Sequence, residues 1–140
     1  MLIGAAREAD YPEVARIQAA APEAAQWPLG DYSGFQVLVA WEGETALGFC
    51  AWRQTATDEA EMLNLAVSAA WRKRGAGRAL VEELRRMAAG TIFLEVAEAN
   101  TPARALYRKT GWVEVSQRKD YYGPGQNAIV MKNSSCYSPE

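Results

Sequence analysis

Apolar residues recur along this chain with two periods, and the switches between them mark out its elements. Residues 2–6 read as a short first strand. Asp10 can cap a helix whose face is Val14, Ile17 and Ala21, with Pro12 tolerated in the first turn. Residues 22–34 lose any period, and two prolines, two glycines, Trp27 and Tyr32 predict a short second helix and a loop. Aromatics in such a segment form either the lip of a pocket or plugs in the core.

Residues 35–42 and 46–54 are two apolar runs joined by Glu42-Gly43-Glu44-Thr45, which predicts a hairpin. Their imperfect alternation suits a sheet covered on both faces. A third strand, residues 59–67, ends in Met62-Leu63-Asn64-Leu65-Ala66-Val67, and a helix over 76–89 follows with Leu80, Leu84, Met87 and Ala88 on its apolar face, stopped by Gly90. Residues 91–96 form a compact strand. Asn100-Thr101-Pro102 starts another helix, with Ala103, Leu106, Tyr107 and Thr110 on one face and Gly111 as its stop. Residues 112–118 and 127–131 are the last strands, joined through Tyr121-Tyr122-Gly123-Pro124-Gly125. Hairpins first, then strands alternating with helices, predict a single-domain mixed α/β sheet of six to seven strands with about four helices and at least one parallel pair. The domain is expected over residues 1–132, with 133–140 a flexible polar tail.

Between the third strand and its helix lies Trp71-Arg72-Lys73-Arg74-Gly75-Ala76-Gly77-Arg78. A strand, a basic glycine-bearing turn and a helix start together make a device for holding phosphate. Unbonded N–H groups and the positive end of the helix dipole face the ligand, and glycine lets the backbone approach closely. The formal net charge is −2, which argues against a nucleic-acid partner and makes this local cluster of cations a match for a compact anion. Cys50 and Cys136 are too few for a disulfide framework. No leader pattern or membrane-length apolar run is visible, so a cytoplasmic protein without membrane contact is expected. Histidine is absent, which leaves acid–base chemistry to carboxylates, tyrosines or lysines and argues against a metal site.

Arg72-x-x-Gly75-x-Gly77 after an apolar strand resembles the acyl-CoA pyrophosphate loop of the GNAT N-acetyltransferases. Leu94-Glu95-Val96, Asn100, Ala105-Leu106-Tyr107 and Gly111-Trp112 follow in that family's order. With Arg118, Tyr121-Tyr122 and Ala128-Ile129-Val130-Met131, the set is similar to the ribosomal-protein-alanine N-acetyltransferases (the RimI group) over residues 58–132. The span between Gly77 and Glu95 is about one helical turn shorter than the family's. Gln126-Asn127 stands where an acidic pair usually precedes the final strand, and residues 22–34 show no family pattern.

The resemblance implies the GNAT fold, acetyl-CoA as co-substrate and a protein N-terminal amine as acceptor. A small-molecule amine or a lysine side chain is the alternative acceptor, and a non-catalytic CoA-binding module a further one. It makes Glu95 the catalytic base and Tyr107 the acid that protonates the departing sulfur. A carboxylate in an apolar strand is expected to be desolvated and its pKa raised toward a useful value; read plainly, it is a solvated strand residue or an ion-pair partner. Tyr107 read plainly is a core aromatic. Backbone groups at Leu65, Ala66 and Val67 would contact the acetyl and pantetheine parts, one N–H stabilising the thioester oxygen as charge develops. Lys73, Arg74, Gly75, Ala76, Gly77 and Arg78, with Arg72, would hold the diphosphate, and Asn100 would combine a helix cap with a cofactor contact. Glu59 and Glu61 are candidates for binding the amine, and Arg118, Tyr121 and Tyr122 for lining a peptide groove. Oligomeric state is left open.

Overall fold

The computed structural model describes residues 1–71 and 74–135, so Arg72, Lys73 and Cys136 lie outside the described residues. Its elements are β1 (Leu2–Ala5), α1 (Tyr11–Ala20), β2 (Gln36–Glu42), β3 (Thr45–Ala56), β4 (Glu59–Val67), α2 (Ala76–Met87), β5 (Thr91–Ala97), α3 (Thr101–Lys109), β6 (Val113–Gly123) and β7 (Gln126–Ser134). The seven strands form one sheet in the order β1-β2-β3-β4-β5-β7-β6. Every neighbouring pair is antiparallel except β4 and β5, which are parallel.

The consecutive apolar residues of β2 have a direct cause. Val37 and Val39 pack into one hydrophobic cluster with Val14 and Ile17 of α1, while Leu38 and Ala40 enter a second with Leu80 and Leu84 of α2 and Tyr107 of α3. Helices therefore cover both faces, and the central strands carry apolar side chains on both. Gly48 leaves no room for a side chain against β4, since a Cβ there would lie 2.6 Å from the Ala66 carbonyl oxygen.

Several local expectations are corrected. Asp10 makes no side-chain cap to α1; its carboxylate turns back to the Arg7 amide at 2.9 Å and to the Arg7 guanidinium. Residues 22–34 contain no α-helix, and the fourth helical element of any size is the 3₁₀ segment Leu29–Gly34. Met87 is 43% exposed at the end of α2, and Val81 takes the buried position instead. β6 runs on through Tyr121 and Tyr122 to Gly123, and β7 extends to Ser134. Ser135 is tied in as well, its amide donating to the Gly90 carbonyl and its hydroxyl to Arg85 and Ala88 carbonyls.

Asn127 organises the β6–β7 hairpin. Its side chain accepts from the Asp120 amide at 2.9 Å and donates to Glu98 at 3.1 Å, while the Asp120 carboxylate accepts from the Gly125 amide. Asp120 takes the left-handed region at φ 55°, tolerable for an aspartate, and this kink aims the two tyrosines that follow.

Gly90 joins α2 to β5 at φ 83°, and a Cβ there would sit 1.7 Å from the Asp58 carbonyl oxygen. Gly90→Ala therefore combines backbone strain with a clash that only main-chain movement can relieve. We expect it to destabilise the fold by about 2–4 kcal/mol, read as a lower urea midpoint with an unchanged slope. A midpoint within error of the wild type would refute this account.

Candidate active site

The parallel strands β4 and β5 pair only at Glu59–Thr91, Ala60–Ile92 and Glu61–Phe93, then part. The register of β3 on β4 steps from Ala51–Asn64 to Trp52–Met62, leaving Leu63 as an extra bulged residue. A bulge adds local twist and re-aims a strand, which suits the point where β4 leaves its neighbour. The amides of β4 that face the gap find side-chain oxygens instead of a strand. Val67 donates to Glu23 Oε2 at 3.0 Å, and Leu65 to Asn64 Oδ1 at 3.1 Å.

Two cavities open beside this gap. The first, about 530 Å³, lies between the start of α2 and one face of α3 and is lined by Val67, Gly75, Ala76, Gly77, Arg78, Pro102, Ala105, Leu106, Lys109, Thr110 and Glu23. Gly75 precedes α2 at φ 85° with no side-chain cap, so the first-turn amides of α2 face this space uncovered by a capping side chain. A Cβ on Gly77 would stand 3.3 Å from Leu106 and 3.6 Å from Val67, narrowing the cleft. Backbone donors, a helix N-terminus and the cations Arg78 and Lys109 fit a diphosphate. Lys109 was not singled out in the sequence, where it is one basic residue at the end of a helix. Arg74 is exposed on the turn.

The second cavity, about 680 Å³, brings Glu95 and Tyr107 together with all five residues considered for acceptor binding, Glu59, Glu61, Arg118, Tyr121 and Tyr122. Asn100 and Trp27 line it too, so Trp27 is a pocket lip while Tyr32, 1% exposed, is a core plug. Leu65 and Ala66 are fully buried and reach neither cavity with their side chains. Asn100 caps α3 by accepting from the Ala103 amide at 3.2 Å, and its amide group donates to the Glu23 carbonyl at 3.3 Å.

The expected desolvation of Glu95 is not found. The residue is exposed, and its carboxylate pairs with Arg118 Nε at 3.2 Å. Ile92, Leu94 and Val96 are buried on one face of β5, so Glu95 projects from the other, into the cavity. Tyr121 hydrogen-bonds to the same carboxylate, which raises its phenol pKa, and the Arg118 guanidinium lies 5.7 Å over its ring. Tyr107 is 5% exposed beside Trp112, and burial first, then nearby Cys50 and Glu23, push its phenol well above the ordinary value.

A buried polar cluster, invisible to sequence periodicity, holds residues 22–34 against the sheet. Asn64, fully buried in β4, accepts from the Ala25 amide at 3.2 Å and donates to the Ala25 carbonyl at 2.8 Å and to Tyr32 Oη at 3.1 Å. Tyr32 in turn donates to Gln18, whose amide group reaches the Trp27 carbonyl at 2.8 Å. A lone asparagine within an apolar strand was the only signal available. No grouping of three or more metal-capable side chains occurs among the described residues. No helix among them is long and apolar enough to cross a membrane.

A seven-stranded sheet whose one parallel pair parts beside a glycine-started helix defines the N-acyltransferase class of fold. Residues 5–112 match the acetyltransferase (GNAT) family, and the chain belongs to that family. The chain is 37% identical over 86 residues to a ribosomal protein bS18-alanine N-acetyltransferase of Haemophilus ducreyi, covering 56% of this chain and 59% of that protein. The ribosomal-protein-S18-alanine N-acetyltransferase of Escherichia coli superposes with a TM-score of 0.77 at 27% identity, over 99% of this chain and 96% of that one. An aminoglycoside 6'-N-acetyltransferase solved with coenzyme A shares the fold, with a TM-score of 0.78 at 16% identity over the full length of both.

Asn64→Leu would remove five hydrogen bonds' worth of partners around residues 18–65 while keeping the volume. We expect a loss of about 2–4 kcal/mol from the stranded polar groups. Limited proteolysis should then cut first within residues 22–34, and unchanged cleavage sites would contradict this role.

Proposed function

We propose that this chain transfers the acetyl group of acetyl-CoA to a primary amine, the α-amine at a protein N-terminus, through a domain spanning residues 1–132. The observation that carries the proposal is the placement of Glu95 and Tyr107 in one cavity, beside a diphosphate-sized cavity and the gap-facing amides of β4. The similarity to a bS18-alanine N-acetyltransferase supports a ribosomal protein N-terminus as the acceptor, which would place the reaction in the cytoplasm. Trp27, Tyr121 and Tyr122 give that cavity apolar walls suited to a peptide's first residues.

Acetyl-CoA fits the residues present: the first turn of α2 with Arg78 and Lys109 for its diphosphate, and the edge of β4 for its pantetheine arm. It supplies an activated acyl group. The amine must first lose a proton, since an α-ammonium has a pKa near ~8. Glu95 takes that proton, directly or through water. Arg118 and Tyr121 hold its carboxylate, so its position rather than its burial suits it to the task. The nitrogen then forms a bond to the acyl carbon, a β4 amide stabilises the oxygen, and the C–S bond breaks. Tyr107 gives its proton to the departing sulfur, and the proton that the new amide nitrogen sheds, directly or through water, restores the phenol. Burial keeps the phenol protonated up to that moment; because a free thiol titrates near ~8.5, well below this phenol, the transfer is uphill alone and goes forward only coupled to the return of the nitrogen's proton.

The test is mass spectrometry of peptides beginning with Ala or Ser, which should gain one acetyl group at the α-amine. Failure with every peptide alongside acetylation of polyamines or lysine side chains would overturn the acceptor. Glu95→Gln and Tyr107→Phe should each lower kcat by about 10²–10⁴-fold and leave CoA binding intact; unchanged turnover would refute the assignments.

The pH profile gives an independent check. Because burial raises the Tyr107 pKa, the fraction of protonated acid stays complete as pH rises through the range of an ordinary phenol. The kcat profile should therefore show no alkaline fall assignable to this residue below about pH 10. A fall at lower pH that disappears in Tyr107→Phe would contradict the burial argument.

A further inference from the structure

Among the described residues, Glu23 is the one that lines both cavities, and it does so from a nearly closed position, 4% exposed. Its backbone is held by Asn100, whose side chain donates to the Glu23 carbonyl at 3.3 Å. Its carboxylate is held by the Val67 amide at 3.0 Å. That amide faces the gap between β4 and β5, because the next residue, Ser68, donates the other way to Leu47 on β3. An acyl-CoA arm lying along β4 needs that donor, and a single N–H cannot serve two acceptors well. Glu23 therefore stands in the arm's place.

Resting on the function proposed above, we infer that Glu23 is an acceptor-binding residue that changes partners. It keeps the Val67 amide satisfied in the empty enzyme and is displaced by acyl-CoA into the second cavity, where its carboxylate receives the acceptor's ammonium group. The side chain has one direction to go, since the first cavity is then filled and Asn100 fixes its backbone. Its charge already reaches Tyr107, which lines the cavity it would enter. The exchange makes acceptor binding conditional on the co-substrate, and favours a cationic amine over a neutral hydroxyl compound. No proton moves in the exchange itself.

Calorimetry with CoA alone, without acceptor, tests the first half. A hydrogen bond to a charged group is lost from the empty state in Glu23→Ala, so CoA should bind about tenfold more tightly. Glu23→Gln keeps the shape and a weaker acceptor, and should tighten binding less, in the same direction. The Val67 amide resonance should move in both variants without ligand, and in the wild type when CoA is added. The second half predicts that the acceptor KM rises about tenfold in both variants while kcat changes less. CoA affinity unchanged or weakened in both variants, or a Val67 resonance unmoved by CoA, overturns the displacement. An unchanged acceptor KM overturns the second position. If Glu23→Ala does not fold, the isosteric Glu→Gln change decides alone. Wild-type protein that binds no CoA would defeat the proposed function itself, a result separable from all of these.

Discussion

A backbone N–H buried away from water has to find an acceptor, and at the parting of β4 and β5 this requirement shapes everything around it. Three parallel pairs hold the strands together before the bulge at Leu63 turns β4 aside. The amides of Leu65 and Val67 then look into a gap where a strand should be. Side chains supply the missing oxygens, one from Asn64 and one from Glu23. Both lead into residues 18–32, so an irregular segment is tied to the sheet by the sheet's own unmet bonds, beside the core contacts of Ala21, Ala24 and Tyr32. A substrate arm laid along β4 would be a third strand neighbour in all but covalent continuity.

The chemistry is divided by the same gap. One side has backbone donors, a helix start and two cations, a setting for negative charge that needs little from side-chain identity. The other has carboxylates and phenols in a cavity with aromatic walls. Glu95 and Tyr107 illustrate how differently two groups on neighbouring elements can be prepared. Tyr107 is set by burial, which keeps its proton on. Glu95 is set by contacts, with Arg118 and Tyr121 orienting a carboxylate that water also reaches.

What could be read from the sequence follows the range of the forces involved. Strands β2 to β5 and helices α2 and α3 were legible because burial imprints a local period. The phosphate turn was legible because glycine and charge there serve a backbone geometry set within a few residues. Residues 22–34 were not, since their shape is imposed by Asn64, some forty positions away along the chain. The tyrosine pair was read as part of a turn because the kink at Asp120 depends on Asn127 across the hairpin. Glu95 shows a half-legible case. Alternation of Ile92, Leu94 and Val96 gives the face it occupies, but no local pattern says that the facing space is open and that Arg118 fills part of it.

The strand order sets the two halves of the site in unlike surroundings. The co-substrate side rests on β4, α2 and α3, amid the doubly covered core, where most substitutions would disturb packing. Much of the acceptor side rests on β6, the outermost strand, whose residues from Val113 to Tyr122 are all exposed, and on a loop held by a handful of polar bonds. Changes at the sheet's edge cost little folding energy. Under the proposed function, the range of amines accepted can drift over generations while the surface for acyl-CoA stays still, and descendants of one stable scaffold can diverge in what they modify without first having to relearn how to fold.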